Sequence, residues 1–381
     1  MLITILIFII VLGVLVFVHE AGHFMVAKRT GMKVEEFGFG FPPRIAGIQK
    51  VNGKWKWMWG HKEPADKEQT VYSINWIPFG GFVKIMGENN EREDDPRSFI
   101  NRPAWARFLT LIAGVSMNWI LAAVLFALTF MVGVTSEVDL SNPAFKNAHV
   151  TNQQVAIGFV GDKTPAQVAG LQAGDIITSI DGRQFTQIFQ VQDYIRSNQG
   201  KNFKFDVQRI NQNISYNVKS LASPPPDQGP TGIGLASIGK VRLPFFQSIG
   251  LGIGKAANLT MAIVDGVYQI FTSKQALSQV GGPVKIAQLT GEMASLGFAS
   301  LVNFTGLLSI NLAILNVLPF PALDGGRILF LVIEKIRRKR NNQKIEQVIN
   351  AAGFLALILL MVVVTAKDVG AGRLINRIFG G

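Results

Sequence analysis

Near the start of the chain, the run Val16–Met25, VFVHEAGHFM, places His19 and His23 four residues apart with Glu20 between them. On a helix that spacing puts both imidazoles on one face, one turn from each other. Two neutral imidazoles so placed can reach a single Zn2+ at roughly 2.0–2.1 Å. Glu20 need not be a ligand, because a carboxylate beside a metal-bound water can take its proton and return it to a leaving amine. A tetrahedral catalytic site also wants a third protein ligand and one open position. The candidate third ligand is Asp324, in NVLPFPALDGG, Asn316–Gly326. Taken alone, HExxH is a short pattern, and Asp324-Gly325-Gly326 reads equally as a plain turn after a helix. The chain has only four histidines, however, and two of them form this pattern.

The elements that must carry these residues are apolar. Leu2–Val18, Phe108–Val134, Leu296–Leu323 and Gln347–Ala366 are uncharged runs. Each approaches or exceeds the roughly 20 residues that cross a ~30 Å hydrocarbon core. Composition agrees: 48% of the 381 residues are hydrophobic, 16% are charged, and the mean hydropathy is +0.29. Leu2–Val18 lacks the basic flank and the small-residue cleavage site of a signal peptide, so four transmembrane helices are expected. His19 and His23 close the first run and Asp324 closes the third. Two segments inserted in opposite directions thereby bring their ionisable ends to a similar depth. Ionisable groups near the centre of a membrane helix cost roughly 2.5–3.5 kcal/mol on insertion scales, which argues for a purpose.

The net charge of +12 does not indicate nucleic acid. The basic residues are dispersed, and the densest cluster, Arg337–Arg340, falls between two apolar runs, where the positive-inside rule explains it. Lys28, Arg29 and Lys33 after the first run and Arg102 and Arg107 before the second give the same orientation. They make those flanks cytoplasmic and put both termini and Thr135–Gly297 outside. Zero cysteines exclude disulfides and thiolate metal sites.

Between the first two spans, GKWKWMWG and TVYSINWIPFGGFVKIMGE alternate as strands do, with Gly80-Gly81 marking a turn or a close backbone approach. ENNEREDDPRS reads as a solvated loop. From about Thr151 to Leu221 the composition is that of a soluble α/β module, with a hairpin around Asn211–Asn213 and a linker at Pro224–Pro226. TGIGLASIG beyond the linker could return a last strand. Phe245–Phe271, broken by Lys255 and Asp265, fits an interfacial amphipathic helix better than a fifth span.

HEAGH near the N-terminus with NVLPFPALDGG near the C-terminus resembles the site-2 protease family of intramembrane zinc metalloproteases, in particular its bacterial RseP-like branch. The family pattern NxxPxPxLDGG is matched at Asn316, Pro319, Pro321, Leu323, Asp324, Gly325 and Gly326. GGFVKIMGE, Gly80–Glu88, looks like the family's membrane-associated β-loop, and VGGPVKIAQ, Val280–Gln288, resembles its Gly-Pro segment before the third helix. The soluble module resembles a PDZ domain. The resemblance implies that His19, His23 and Asp324 hold Zn2+, the only cofactor expected, and that Glu20 is the general base and acid. It implies that Asn316 contacts the substrate backbone or oxyanion. Gly80, Gly81, Phe82, Val83 and Lys84 would accept an unwound substrate as an added strand. Two departures stand out: Val115 replaces the proline of a Gly-Pro-x-x-Asn pattern in GVSMN, which leaves Asn118 without a firm role, and only one PDZ-like module is evident. Ala156–Phe159, AIGF, is the candidate carboxylate-binding loop of that module.

The expected fold is thus a polytopic α-helical membrane protein with about four transmembrane helices, a membrane-associated β-loop and an inserted extracytoplasmic PDZ-like α/β domain. Its parts run 1–27 (first span, HExxH), 28–107 (cytoplasmic membrane-associated β region), 108–134 (second span), 150–240 (PDZ-like), 244–292 (amphipathic interfacial segment), 296–326 (third span, LDGG) and 347–366 (fourth span). The expected activity is hydrolysis of peptide bonds in or near transmembrane segments of single-pass membrane proteins, such as an anti-sigma factor or a remnant signal peptide. The expected surroundings are the lipid bilayer of a cell membrane, with no nucleic acid and an unknown PDZ ligand. The competing expectation is a non-catalytic PDZ-containing membrane scaffold, in which Glu20 would serve no purpose. A transporter would need an inverted repeat that the chain lacks.

Overall fold

The computed structural model describes residues 2–60, 62–88, 94–138, 148–209, 212–225, 228–272 and 281–370. It divides into two compact units, 1–126 with 252–381, and 127–251.

The first unit opens with helix α1, Leu2–Arg29, which continues through the HExxH residues without a break. An uncharged Leu/Ile/Val run satisfies its backbone internally and so stays helical in lipid. Three strands follow: β1 Val34–Val51, β2 Lys54–Trp59 and β3 Val71–Ile85, in the order β2-β1-β3. β1 bends between Phe41 and Arg44, and β3 doubles back near Gly80. Residues 71–74 of β3 therefore pair with both halves of β1, whereas 81–85 pair only with 34–39. Across the sheet the ladder runs 81–85, 34–39, 71–75, 44–51, 54–59, so Gly81–Ile85 is an edge strand. Of ENNEREDDPRS, 89–93 lie outside the described residues; Asp95 and Arg97 pair with each other, and Ser98 is fully buried.

Helix α2, Ala104–Val132, packs on the start of the chain through Ala27, Met32, Val34, Ile85, Phe99, Ile100, Ala106 and Leu111.

The second unit is a six-stranded antiparallel sheet. Its strands are β4 Val134–Glu137, β5 His149–Val160, β6 Ile176–Ile180, β7 Asn202–Arg209, β8 Gln212–Lys219 and β9 Ile233–Arg242, in the order β4-β9-β5-β6-β7-β8. Helices α3, Pro165–Ala169, and α4, Ile188–Ser197, cover it. The Thr164 hydroxyl caps α3, and Gly170 ends it in the left-handed conformation. Val155, Ile157, Ile180, Val191, Phe203, Phe205, Val207 and Val218 form its core. Residues 210 and 211, at the hairpin expected around Asn211–Asn213, lie outside the described set. TGIGLASIG does supply a strand, β9.

The AIGF expectation is corrected. Ala156 pairs with Ala236 on one side and Ile176 on the other, and Ile157 and Phe159 continue the ladder with β9, so this run is strand and no loop. Among the described residues, β4 pairs with β9 from residue 238 onward, with Val138 N–H reaching Ser237, and Thr231–Gly232 is the loop that precedes the part of β9 left without a partner strand there.

The span 244–292 holds two helices, α5 Phe245–Thr272 and α6 Pro283–Ser295, with 273–280 (Val280 included) outside the described residues. Pro283 starts α6 because a proline at the first helical position forgoes an N–H that has no partner there. Helix α7, Phe298–Val317, stops before Pro319, and Asp324 opens a separate helix, α8 Asp324–Arg337, so LDGG is the start of a new helix rather than the end of the third span. Pro319 and Pro321 break the continuity. The last helix is α9, Gln343–Asp368. α1, α2, α7 and α9 are the four helices long and apolar enough to cross a membrane among the described residues. Ala122, Ala123 and Phe126 of α2 pack with Ala256 of α5 and Ile310 and Ile314 of α7.

Candidate active site

The site lies where α1, α2 and the start of α8 meet. His19 and His23 are buried on α1, exposed by 6% and 7%. The His19 Nε2 atom is 3.1 Å from His23 Nε2 and 3.0 Å from Asp324 Oδ2, and His23 Nε2 is 3.4 Å from the same carboxylate oxygen. Among the described residues these three side chains are the group that could hold a metal ion.

Three observations bear on whether they fit zinc. Ligands about 2.05 Å from a tetrahedral ion stand about 3.3 Å from one another, and the three observed edges bracket that value. His23 Nδ1 lies 2.7 Å from the main-chain carbonyl of Thr110. A carbonyl only accepts, so Nδ1 carries the proton and Nε2 of neutral His23 is left with its lone pair toward Asp324. Finally, Gly114 of α2 faces both ligand nitrogens. A Cβ there would lie 2.7 Å from His19 Nε2, and closer still to His23 Nε2. The donor set, the His23 tautomer and the space left by Gly114 all suit zinc.

Asp324 reaches this point through a tight turn, 318–323, in which Ala322 adopts φ +74° and donates its N–H to Asn350 Oδ1 at 3.1 Å. Gly325 and Gly326 lie directly against the carbonyls of Val317, Leu318 and Phe320, leaving no room for a side chain. As the first residue of α8, Asp324 also sits at the positive end of the helix dipole, which favours the carboxylate. Arg327, one turn on, pairs with Glu88 and ties α8 to the end of β3.

Glu20 projects beside the histidines toward β3. The Gly81 backbone comes so close that a Cβ there would be 2.7 Å from Phe17 Cα and 3.1 Å from Glu20 Cβ, and Gly80 has φ +99°. The edge strand therefore runs directly past the general-base candidate. Phe82 and Val83 are half-buried, and Lys84 is exposed and pairs with Glu35 at 2.9 Å. Asn316 stands half-buried on the last turn of α7, before the turn that leads to Asp324.

Sequence reasoning missed the contribution of α2. Thr110, Gly114 and Asn118, spaced by four, form one stripe against the two histidines. Thr110 acts through its carbonyl, which no residue type announces; Gly114 and Asn118 were visible in GVSMN, but without a partner to explain them.

The profile of peptidase family M50 matches residues 7–59 and 63–360. A relative from Clostridium acetobutylicum named as a zinc metalloprotease is 32% identical over 96% of this chain and 97% of its own length. The regulator of sigma-W protease RasP from Bacillus subtilis is 28% identical over 96% of this chain and 98% of its own. Among solved structures, the PDZ domain of an SdrC-like protein from Listeria monocytogenes is 33% identical, covering 23% of this chain and 92% of that domain with a TM-score of 0.20. Matched nearly end to end by the family profile and by these relatives, the chain belongs to peptidase family M50, the site-2 proteases, and is a zinc-dependent intramembrane metalloprotease.

Proposed function

We propose that the protein is an endopeptidase that cuts single-pass membrane proteins within or next to their transmembrane segment, near the cytoplasmic face. His19, His23 and Asp324 hold zinc, and Glu20 is the catalytic base and acid. The observation that carries this reading is the 3.0–3.4 Å triangle of donor atoms with Glu20 and the Gly81 edge strand alongside.

Zinc held by His19, His23 and Asp324 would supply Lewis acidity, lowering the pKa of a water toward about 7 and polarising the scissile carbonyl. Glu20 would accept a proton from the attacking water and deliver it to the departing amine. A helical peptide bond is shielded by its own hydrogen bonds, so the substrate must be extended first. Gly80, Gly81, Phe82, Val83 and Lys84 would take it up as an added strand, and Asn316, at the end of α7, would donate to the substrate backbone or the oxyanion. At 1.5 Å per residue, His19 and His23 lie roughly 26 and 32 Å along α1 from Leu2, close to the far boundary of a ~30 Å core. Lys28, Arg29, Arg107 and Arg337–Arg340 favour that boundary being cytoplasmic, which leaves 127–251 outside. In that PDZ-like unit, the edge of β9 at 233–236, with α4 nearby, is the place for an extended peptide. The name of the Bacillus relative supports an anti-sigma factor as one substrate; remnant signal peptides are a second of the same chemistry.

The test is cleavage of a single-pass substrate in vesicles containing the purified protein, with the cut mapped by mass. The reading predicts a cut within or next to the apolar segment, abolished in Glu20→Gln. A cut confined to an extramembrane loop, or binding without any cut under conditions where a related protease works, contradicts it and favours a scaffold.

A further inference from the structure

α2 orients the two histidines by different means. His23 is fixed by a main-chain carbonyl, which only accepts. His19 meets a side-chain amide that can present either a donor or an acceptor. Asn118 is fully buried, with its Nδ2 3.3 Å from His19 Nδ1 and its Oδ1 buried without a hydrogen-bond partner among the described residues. With Nδ2 donating, His19 Nδ1 accepts and the single proton of the neutral ring sits on Nε2. That atom faces Asp324 Oδ2 at 3.0 Å and cannot then give a lone pair to a metal. A half-turn of the Asn118 amide brings Oδ1, the atom now without a partner, onto Nδ1, where it accepts the Nδ1 proton and frees Nε2. The backbone does not have to move for this. The Asn118 carbonyl is held by the Ser309 hydroxyl of α7 at 2.7 Å, which anchors α2 at this turn.

We propose that Asn118 is a positioning residue whose amide turns its oxygen to His19 Nδ1–H when zinc is held, fixing the tautomer that ligates through Nε2. The inference rests on His19, His23 and Asp324 being the zinc ligands. Orienting partners of this kind are worth about 10–100-fold in metal affinity.

The experiment is zinc retention against a competing chelator, measured on the full-length detergent-purified protein and on Asn118→Leu, Asn118→Asp and Ser309→Ala. Asn118→Leu keeps the volume and removes the acceptor, and is expected to lose zinc about 10–100-fold more readily. Asn118→Asp keeps an acceptor and is expected to hold zinc at least as well as the unmutated protein. Ser309→Ala, which leaves the amide in place, is expected to hold it normally. A residue that mattered only for packing would give the reverse order, because leucine fills a dry site and a buried carboxylate disrupts it. Asn118→Leu retaining zinc normally, or Asn118→Asp losing it while Asn118→Leu does not, overturns the inference. Failure of the unmutated protein to bind zinc overturns the ligand assignment instead. On the zinc-loaded unmutated protein with labelled histidines, the His19 Nδ1 proton is expected to exchange slowly with water; fast exchange overturns the inference even if neither variant folds.

Discussion

Adding one methyl group at Gly114 is the sharpest perturbation of the site. The Cβ of Gly114→Ala would fall 2.7 Å from His19 Nε2, so that nitrogen must retreat by about 0.8 Å to reach an ordinary separation, and His23 Nε2 by more. Zinc–nitrogen distances tolerate about 0.2 Å. The displacement is therefore several times what ligation allows, and zinc affinity should fall by at least about 100-fold, beyond the range for losing an orienting partner. The metal-free fold should respond much less. Overpacking costs roughly 1–3 kcal/mol, while replacing glycine by alanine inside a helix returns about 1 kcal/mol. The assay is chelator competition for zinc together with thermal unfolding of the metal-free protein. Gly22→Ala is the contrast. Its Cβ would meet the Ala113 carbonyl oxygen at 2.5 Å, and main chain cannot swing aside, so it should lower unfolding temperature with or without zinc. Normal zinc affinity in Gly114→Ala would refute the placement of the histidine nitrogens against α2.

Other consequences are independent of the metal. In the second unit, Asp175 is buried and receives Arg209 in two hydrogen bonds of 2.7 and 2.8 Å. Arg209→Ala strands that carboxylate and should destabilise the unit by about 3–5 kcal/mol, read by denaturant unfolding; a loss under 1 kcal/mol would contradict it. In the β region, hydrogen bonds from Arg97 pull the Asp95 carboxyl from 3.8 down to about 2. Because the folded pKa lies below the unfolded one, this contribution is complete above about pH 4 and is lost as pH falls through about 2. The stability gap between the unmutated protein and Arg97→Ala should close over that range, and a gap that widens there would be inconsistent with the pairing.

Much of this was legible in the sequence, for definable reasons. Long uncharged runs have one stable form in lipid, so α1, α2, α7 and α9 announce themselves, and the four-residue spacing of His19 and His23 survives because α1 does not break. Asp324 was legible as a candidate but its helix was not, because two prolines end α7 in a turn whose path depends on Asn350 and Gly353 far along the chain. The edge character of Gly81–Ile85 comes from β3 folding back on itself, and period-two alternation cannot report which strand lies outermost. The same limit misplaced AIGF: a Gly-Phe run looks like a loop until β9 is seen to pair along it and β6 to pair with its first residue, Ala156. Gly114 and Asn118 stood in plain view, yet their meaning lies across a helix interface.

The central claim is that this triangle of side chains holds catalytic zinc with Glu20 as the base. The most direct measurement is zinc content and zinc K-edge absorption for the unmutated protein, Glu20→Gln and Asp324→Ala, with cleavage of a single-pass substrate followed in the same samples. The account predicts about one zinc with nitrogen and oxygen ligands in the first two, cleavage in the first alone, and loss of both in Asp324→Ala. Cleavage by Glu20→Gln at the unmutated rate, or a full and unaltered zinc site in Asp324→Ala, would contradict it.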